Sequence, residues 1–250
     1  MKREKLFDSL LPLFTLAVIF ILWGVTAAAV GNEYILPSVA SVAKEFIALF
    51  RKGEFYISFL YTFLRSVIAF VISFSLAFLA AFGSYKSETF KTLFRPVLMI
   101  VRALPTIAIV LLLIFWTTSS AAAITVTVLV VFPTLYNGIY QAFCGIDGEI
   151  TEMCILFKVS KKKIIFSIEL PAIAPDLLAW TGAGISLNLK LMVAAEVLSA
   201  ASNSLGNLLS AAKYNAEIPV MMALVVVSVA AGIITESIFS LLSAKAGKWR

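Results

Sequence analysis

Arg65, Arg102, Lys190 and Glu196 stand inside long apolar runs, where a charge at the centre of a bilayer costs about 2.5 to 3.5 kcal/mol on insertion scales. Such residues call for a water-lined path, an ion pair, or a long stem that reaches an interface. The last option suits Arg65 and Arg102, which fall near opposite ends of their runs. Lys190 and Glu196 are separated by about 600° of helix rotation, which leaves their side chains about 120° apart on one chain; across a dimer axis they could meet. These charges could line the path of a solute. They do not make a catalytic set. The chain has no histidine, the side chain best suited to proton transfer near neutrality. No paired carboxylates in a polar pocket, nucleophile elbow or metal cluster appears. Gly206-Asn-Leu-Leu-Ser-Ala-Ala-Lys213 lacks the second glycine of a phosphate-binding loop. The reading is therefore of a non-enzyme without a cofactor, and any nucleotide chemistry belongs to another chain.

A second constellation occupies the long polar interruption from Ile146 to Pro171. The pattern predicts two short helices joined by a turn. The first covers about Glu149 to Phe157, with Asp147 as N-cap and with Glu149 and Glu152 in the opening turn, where the helix dipole favours negative charge. Ile150, Met153, Cys154 and Phe157 recur at helical spacing and give it one apolar face. The second helix is capped by Ser160 and is expected to stop at Leu170-Pro171, because proline cannot continue the hydrogen-bond ladder.

The elements around these residues are membrane spans. The chain is 61% hydrophobic and only 14% charged, with a mean hydropathy of +1.01, which excludes an ordinary soluble domain. The net charge of +6 comes from short basic clusters between apolar runs, a membrane-topology pattern rather than a nucleic-acid surface. Six apolar runs, Ser9–Val30, Ile57–Phe82, Val97–Trp116, Ala121–Phe143, Ala172–Ala200 and Ile218–Leu242, are long enough to span a bilayer. A short interfacial helix is expected over Val39–Phe50 and a basic loop over Gly83–Pro96. With both termini inside, Lys2, Arg3, Lys5, Lys86, Lys91, Arg95, Lys158, Lys161 to Lys163, Lys245, Lys248 and Arg250 are cytoplasmic, and only Lys44, Arg51, Lys52 and Lys213 are external. That asymmetry is the positive-inside pattern. Cys144 and Cys154 then flank or occupy a cytoplasmic loop and are expected to stay reduced. The fold class is all-α: a polytopic membrane protein of six transmembrane helices plus a cytoplasmic helix between the fourth and fifth.

The same segments resemble the permeases of ABC importers. The motif of their coupling loop is Glu-Ala-Ala, then glycine, then Leu-Pro; laid on this chain without a gap it gives Glu152-Met153-Cys154, Lys158 and Leu170-Pro171, with Ser160 in register. Lys158 replaces the turn glycine and must adopt a positive backbone angle or bend differently. Thr62-x-x-Arg65, Arg102-Ala-Leu-Pro105, Phe132-Pro133-x-x-x-Asn137, Val193-Ala-Ala-Glu196 and Ser204-Leu-Gly206 also resemble family segments, most of all in the nitrate, sulfonate and taurine branch. The resemblance implies a permease core over residues 57–242, preceded by a first span and external loop (1–56) and followed by a basic tail (243–250). It further implies a second permease copy, two ABC ATPase subunits docked on the 146–171 loop, an extracytoplasmic binding protein, and a bacterial inner-membrane location. Glu149, Glu152, Lys158, Ser160, Leu170 and Pro171 become the coupling residues. Arg65, Arg102, Pro105, Asn137, Lys190 and Glu196 become candidates for the path. The alternatives are a gradient-driven transporter or channel, or a membrane scaffold. Lys190 and Arg65 suit an anionic solute and Glu196 argues the other way, so the solute stays open among sulfonates, nitrate-like anions and vitamin precursors.

Overall fold

The computed structural model describes residues 2–246; within that range the side chains of 2–10, 12, 13, 151 and 155 are left aside. The cations expected at the two ends, Lys2, Arg3 and Lys5 by their side chains and Lys248 and Arg250 entirely, therefore lie outside what is described. The described chain is all helix: α1 (Lys2–Val30), α2 (Val39–Leu49), α3 (Gly53–Lys86), α4 (Glu88–Ala103), α5 (Thr106–Trp116), α6 (Ser119–Cys144), α7 (Gly148–Leu156), α8 (Lys161–Ile164), a π-helical turn (Ile165–Glu169), α9 (Leu170–Ser199), α10 (Leu205–Tyr214) and α11 (Ile218–Ala246). Among the described residues four helical stretches are long and apolar enough to cross a membrane, and a fifth if α4 and α5 form one bent span. In α1 the apolar part is Phe14–Val30.

The bundle is held by α3, α6, α9 and α11, with α6 and α9 packed on each other and α3 against both. The sequence of α3 explains how. Its buried face carries Ser58, Thr62, Ser66, Ala69, Ser73, Ala77, Ala80 and Ser84, small residues repeating every three or four positions. Leu60, Leu64, Val67, Val71, Leu76 and Leu79 point outward. A soluble helix buries its large apolar side chains; a helix in lipid gains nothing by that, and packs through small residues that let backbones approach. Next to this stripe sits an aromatic column. Phe78, Phe82 and Tyr85 of α3 pack on Phe143 of α6 at centroid distances of 5.9, 5.6 and 5.2 Å, and Tyr136 shares a hydrogen bond with the Ser84 hydroxyl at 2.9 Å.

The expected interfacial helix is α2, with the Ser38 side chain accepting from the Ser41 N–H. The expected loop over 83–96 is not a loop. α3 runs to Lys86, and Ser87 alone links it to α4, its N–H donating to Gly83 and its hydroxyl accepting from the Phe90 N–H. One capping serine closes one helix and opens the next, so no further chain is needed. The expected span Val97–Trp116 is built of two helices: α4 and α5 meet at 91°. Pro105 supplies no N–H and drives Leu104 into the extended region (φ −66°, ψ 125°), which ends α4 there.

A further correction concerns the second short helix, which does not stop at Leu170-Pro171. From α8 the chain passes through the π turn, in which Leu170 N–H donates to the Ile165 carbonyl, and continues unbroken as α9. Pro171 supplies no N–H to this continuous helix, and the wide π turn just before it accommodates the proline.

Gly182 tests this packing. A Cβ there would lie 2.6 Å from the Phe239 Cβ and 3.4 Å from the Glu236 carbonyl. Gly182→Ala should separate α9 from α11 and destabilise the protein by about 1–3 kcal/mol. Gly24→Ala, which meets open space, should leave the thermal midpoint in detergent unchanged or raise it.

Candidate functional site

Glu196 has no exposed surface although it lies in the last turns of a membrane helix. Its carboxylate accepts from Arg65 Nη1 at 2.9 Å and from the Thr62 hydroxyl at 2.7 Å, and the Gly206 N–H approaches at 3.5 Å. Arg65 is buried too, and its remaining donors reach the Ser202 carbonyl at 2.9 Å and the Asn203 carbonyl at 3.4 Å. Thr62 also accepts from the Leu205 N–H at 2.9 Å. Three separated sequence motifs thus close into one network: the Thr-x-x-Arg of α3, the Glu of α9 and the Ser-Leu-Gly that opens α10. Gly206 must be glycine, because a Cβ would fall 2.5 Å from the Glu196 Cβ and 2.6 Å from the Val197 nitrogen. One turn further into the bundle Asn188 donates to the Ser66 carbonyl at 2.7 Å and its hydroxyl at 2.6 Å.

The remaining path candidates are dispersed. Lys190 is exposed, and its stem lies near the Gly232 backbone of α11; it does not pair with Glu196, as the helix rotation required. Arg102 is exposed in the last turn of α4 and reaches the Pro133 carbonyl at 3.5 Å. Asn137, one turn beyond Pro133 on α6, and Pro105 are exposed.

At the opposite end of the bundle lies the segment expected to couple. Asp147 accepts from the Glu149 N–H at 2.9 Å, the cap that its position required. Lys158 takes φ +55°, and the Val159 N–H reaches back to the Cys154 carbonyl at 3.0 Å. This is the left-handed helix end that a glycine normally makes. Ser160 stands at the N-cap of α8 but its side chain makes no cap bond there. Cys154 and Ile164 are buried. Glu149 and Glu152 are exposed. Leu156 (81%), Phe157 (78%) and Phe166 (69%) are bare apolar side chains beside Lys158 and Lys161 to Lys163.

Sequence reasoning missed a second ion pair, one that joins a buried carboxylate to a partly exposed lysine. Glu169, with no exposed surface, accepts from Lys86 Nζ through both oxygens at 2.6 and 2.8 Å. The available signal was a carboxylate between Ile168 and Leu170, which a helix stopping at Leu170 would have left in water. Among the described residues no acidic, histidine or cysteine cluster could hold a metal ion.

A family model described as "Binding-protein-dependent transport system inner membrane component" matches residues 73–248. The chain belongs to that family. It is a membrane permease component of an ABC transporter, a transport subunit rather than an enzyme, and the family implies ATPase subunits and a second permease chain as partners. Among solved structures, the permease is similar to a chain of the MetNI methionine ABC transporter in inward-facing conformations, with 15% identity over 75% of this chain and 93% of that one and a TM-score of 0.63. It is also similar to a chain of an amino acid ABC transporter crystallised with histidines, with 12% identity over 81% and 94% and a TM-score of 0.61. At such identities these likenesses show the shared fold. No curated protein sequence matches the chain.

The Arg65 network predicts a non-additive pattern in this permease. Removing one partner of a buried ion pair leaves a stranded charge and costs about 3–5 kcal/mol. Arg65→Met and Glu196→Met should each lower the thermal midpoint in detergent sharply, and Arg65→Met/Glu196→Met should lower it less than either.

Proposed function

We propose that this permease forms one half of the membrane path of an ATP-driven importer of small solutes, with six membrane crossings, both termini cytoplasmic and a core over residues 57–242. In this reading it pairs with a second copy or a related chain in the bacterial inner membrane, receives solute from an extracytoplasmic binding protein, and couples to two ATPase subunits through residues 146–171. The observation that carries it is the exposed tip of that segment. A short helix fastened at Asp147 and turned at Lys158 presents Leu156 and Phe157 to solvent, and the π turn after α8 presents Phe166, apolar surface that a partner cleft covers at a gain of roughly 25 cal/mol per Å². The carboxylates Glu149 and Glu152 and the cations Lys158 and Lys161 to Lys163 rim the tip and give the partner charges to pair with. Ser160, Leu170 and Pro171 set the return of the chain into the membrane.

For the path, the reading assigns different tasks to residues that share a charge. Arg65 and Glu196 satisfy each other and serve as a strut at the external end. Arg102, Pro105, Asn137 and Lys190, exposed on the single chain, are left to face the solute or the second permease. Solute class follows the branch that the motifs resemble: a sulfonate, a nitrate-like anion or a vitamin precursor, with Arg102 and Lys190 forming no ion pair among the described residues and therefore suited to an anion.

The test is co-expression with the ATPase encoded beside the gene, followed by purification and measurement of ATP hydrolysis in lipid. The unchanged chain should co-purify with the ATPase. Glu152→Lys should uncouple or dissociate the complex, and Leu156→Ser/Phe157→Ser should weaken association at least about tenfold, equivalent to about 1.4 kcal/mol. Failure of the unchanged permease to bind any ATPase would remove this reading. Arg102→Gln and Lys190→Gln should reduce uptake while leaving the assembled complex intact, a split that separates path residues from docking residues.

A further inference from the structure

We propose that Lys86 and Glu169 are a positioning pair that fastens the root of the α7–α8 segment to α3, so that force applied to α7 reaches the membrane helices. The inference rests on the coupling reading above and adds to it residues that no part of that reading assigns. α7 packs extensively against no other helix, so a push on it is transmitted only where its chain enters and leaves the bundle.

Both places are gripped by the same turn of α3. The entry is the end of α6, where Phe143 lies against Phe82 and Tyr85 at 5.6 and 5.2 Å. The exit is the π turn, where Glu169 meets Lys86. The Lys86 ammonium also stands 4.7 Å from the Tyr85 ring and 5.7 Å from the Phe82 ring. The aromatic clamp at the entry and the ionic clamp at the exit are therefore one structure, centred on Phe82, Tyr85 and Lys86.

The π turn is what brings Glu169 into this clamp. An α-helical turn carries 3.6 residues, and widening it by one residue changes the direction of the next side chain by about 100°. Without that step Glu169 would face away from Lys86. A pair of aliphatic residues would pack the same space and often be at least as stable. What the ion pair adds is a bidentate contact in a single register, which resists sliding and rotation of α9 past α3 in a way that apolar packing does not. The pair thus makes the loop and the inner end of α3 move together.

The experiment uses the permease–ATPase complex in lipid nanodiscs, with Cys144→Ser and Cys154→Ser and a spin label on Lys213→Cys, a position exposed on α10 at the far end of the bundle. The distance between labels on the two permease copies is followed on adding ATP, magnesium and vanadate. In the otherwise unchanged complex the distance distribution should shift. In Lys86→Met the ATPase should remain bound and hydrolyse ATP, while the shifted population falls at least about fivefold, the lower range of coupling between sites. Lys86→Glu/Glu169→Lys should recover at least about half of the shift.

A normal shift in Lys86→Met, or an assembled charge-swapped complex that stays unresponsive, overturns the pair. If Lys86→Met does not fold, Lys86→Met/Glu169→Leu, which strands no charge, decides. Assembly without the shift supports the pair. Assembly with a normal shift, or failure to assemble at all, overturns it, since the contact then serves packing alone. A complex that never forms with the unchanged chain overturns the coupling reading instead, which keeps the two failures distinct.

Discussion

A carboxylate with no exposed surface inside a bundle of apolar helices must be answered by a cation, and this protein does so twice. Glu196 is held by Arg65 near the α10 end and Glu169 by Lys86 near the α7 end. Each pair joins α3 to the helical stretch that contains the π turn and α9, so a single helix is pinned to another at two levels. The cost of taking the Glu196 carboxylate out of water is offset because several donors are directed at it. Glu196 has Thr62 and the Gly206 N–H as well as Arg65, and Arg65 has the Ser202 and Asn203 carbonyls as well as Glu196. Partial satisfaction would be worse than an apolar pair. The structure therefore carries a several-membered network around Glu196, a bidentate lysine contact at Glu169, and packing of mostly small residues between them.

That packing is the other half of the architecture. With lipid outside, no hydrophobic force drives α3 against α6, and contact depends on close approach. The serines and alanines of α3 provide it on one side, and Gly184 on α9, where a Cβ would meet Leu135 of α6 at 2.5 Å, does so on the other. Close approach in turn shields the Arg65–Glu196 pair from water, which strengthens the interaction between its charges, while Lys86 keeps part of its surface exposed. The geometry of charge and the size of the intervening residues are thus one design.

Irregular backbone is confined to the places where the elements change task. Pro105 breaks α4 from α5, the π turn carries the chain from the α7–α8 segment into the membrane, and Ala200 and Asn203 adopt left-handed angles of 52° and 48° in the loop whose carbonyls satisfy Arg65. Strain at Lys158, of order 1–3 kcal/mol in a non-glycine residue, sits at the turn of the segment that carries the exposed apolar tip. The departures at Ala200 and Asn203 lie beside the Arg65–Glu196 pair, and those at Lys158 and the π turn lie on the segment that carries the candidate docking surface.

By itself the sequence determined the class of the protein. Apolar run length and the clustering of cations sufficed for an all-helical membrane protein. Local chemistry was legible where it depends on near neighbours: Asp147 as a cap follows from residues a few positions away, and of the two conformations open to Lys158 at the motif's glycine position the chain takes the left-handed one. Periodicity also kept Lys190 and Glu196 apart. The tertiary structure decided everything that needs a partner from another helix. Ser87 linking α3 to α4 directly, and the π turn that carries the chain through Pro171, depend on what the flanking helices pack against, which a linear reading of proline as a stop does not contain. Thr62 and Glu196 are 134 positions apart and Lys86 and Glu169 are 83 apart. Hydrophobic pattern shows only that each is costly where it stands. Which charge answers which is settled by the rotation and depth of α3 against α9, and those are set by the small side chains that let the two helices close.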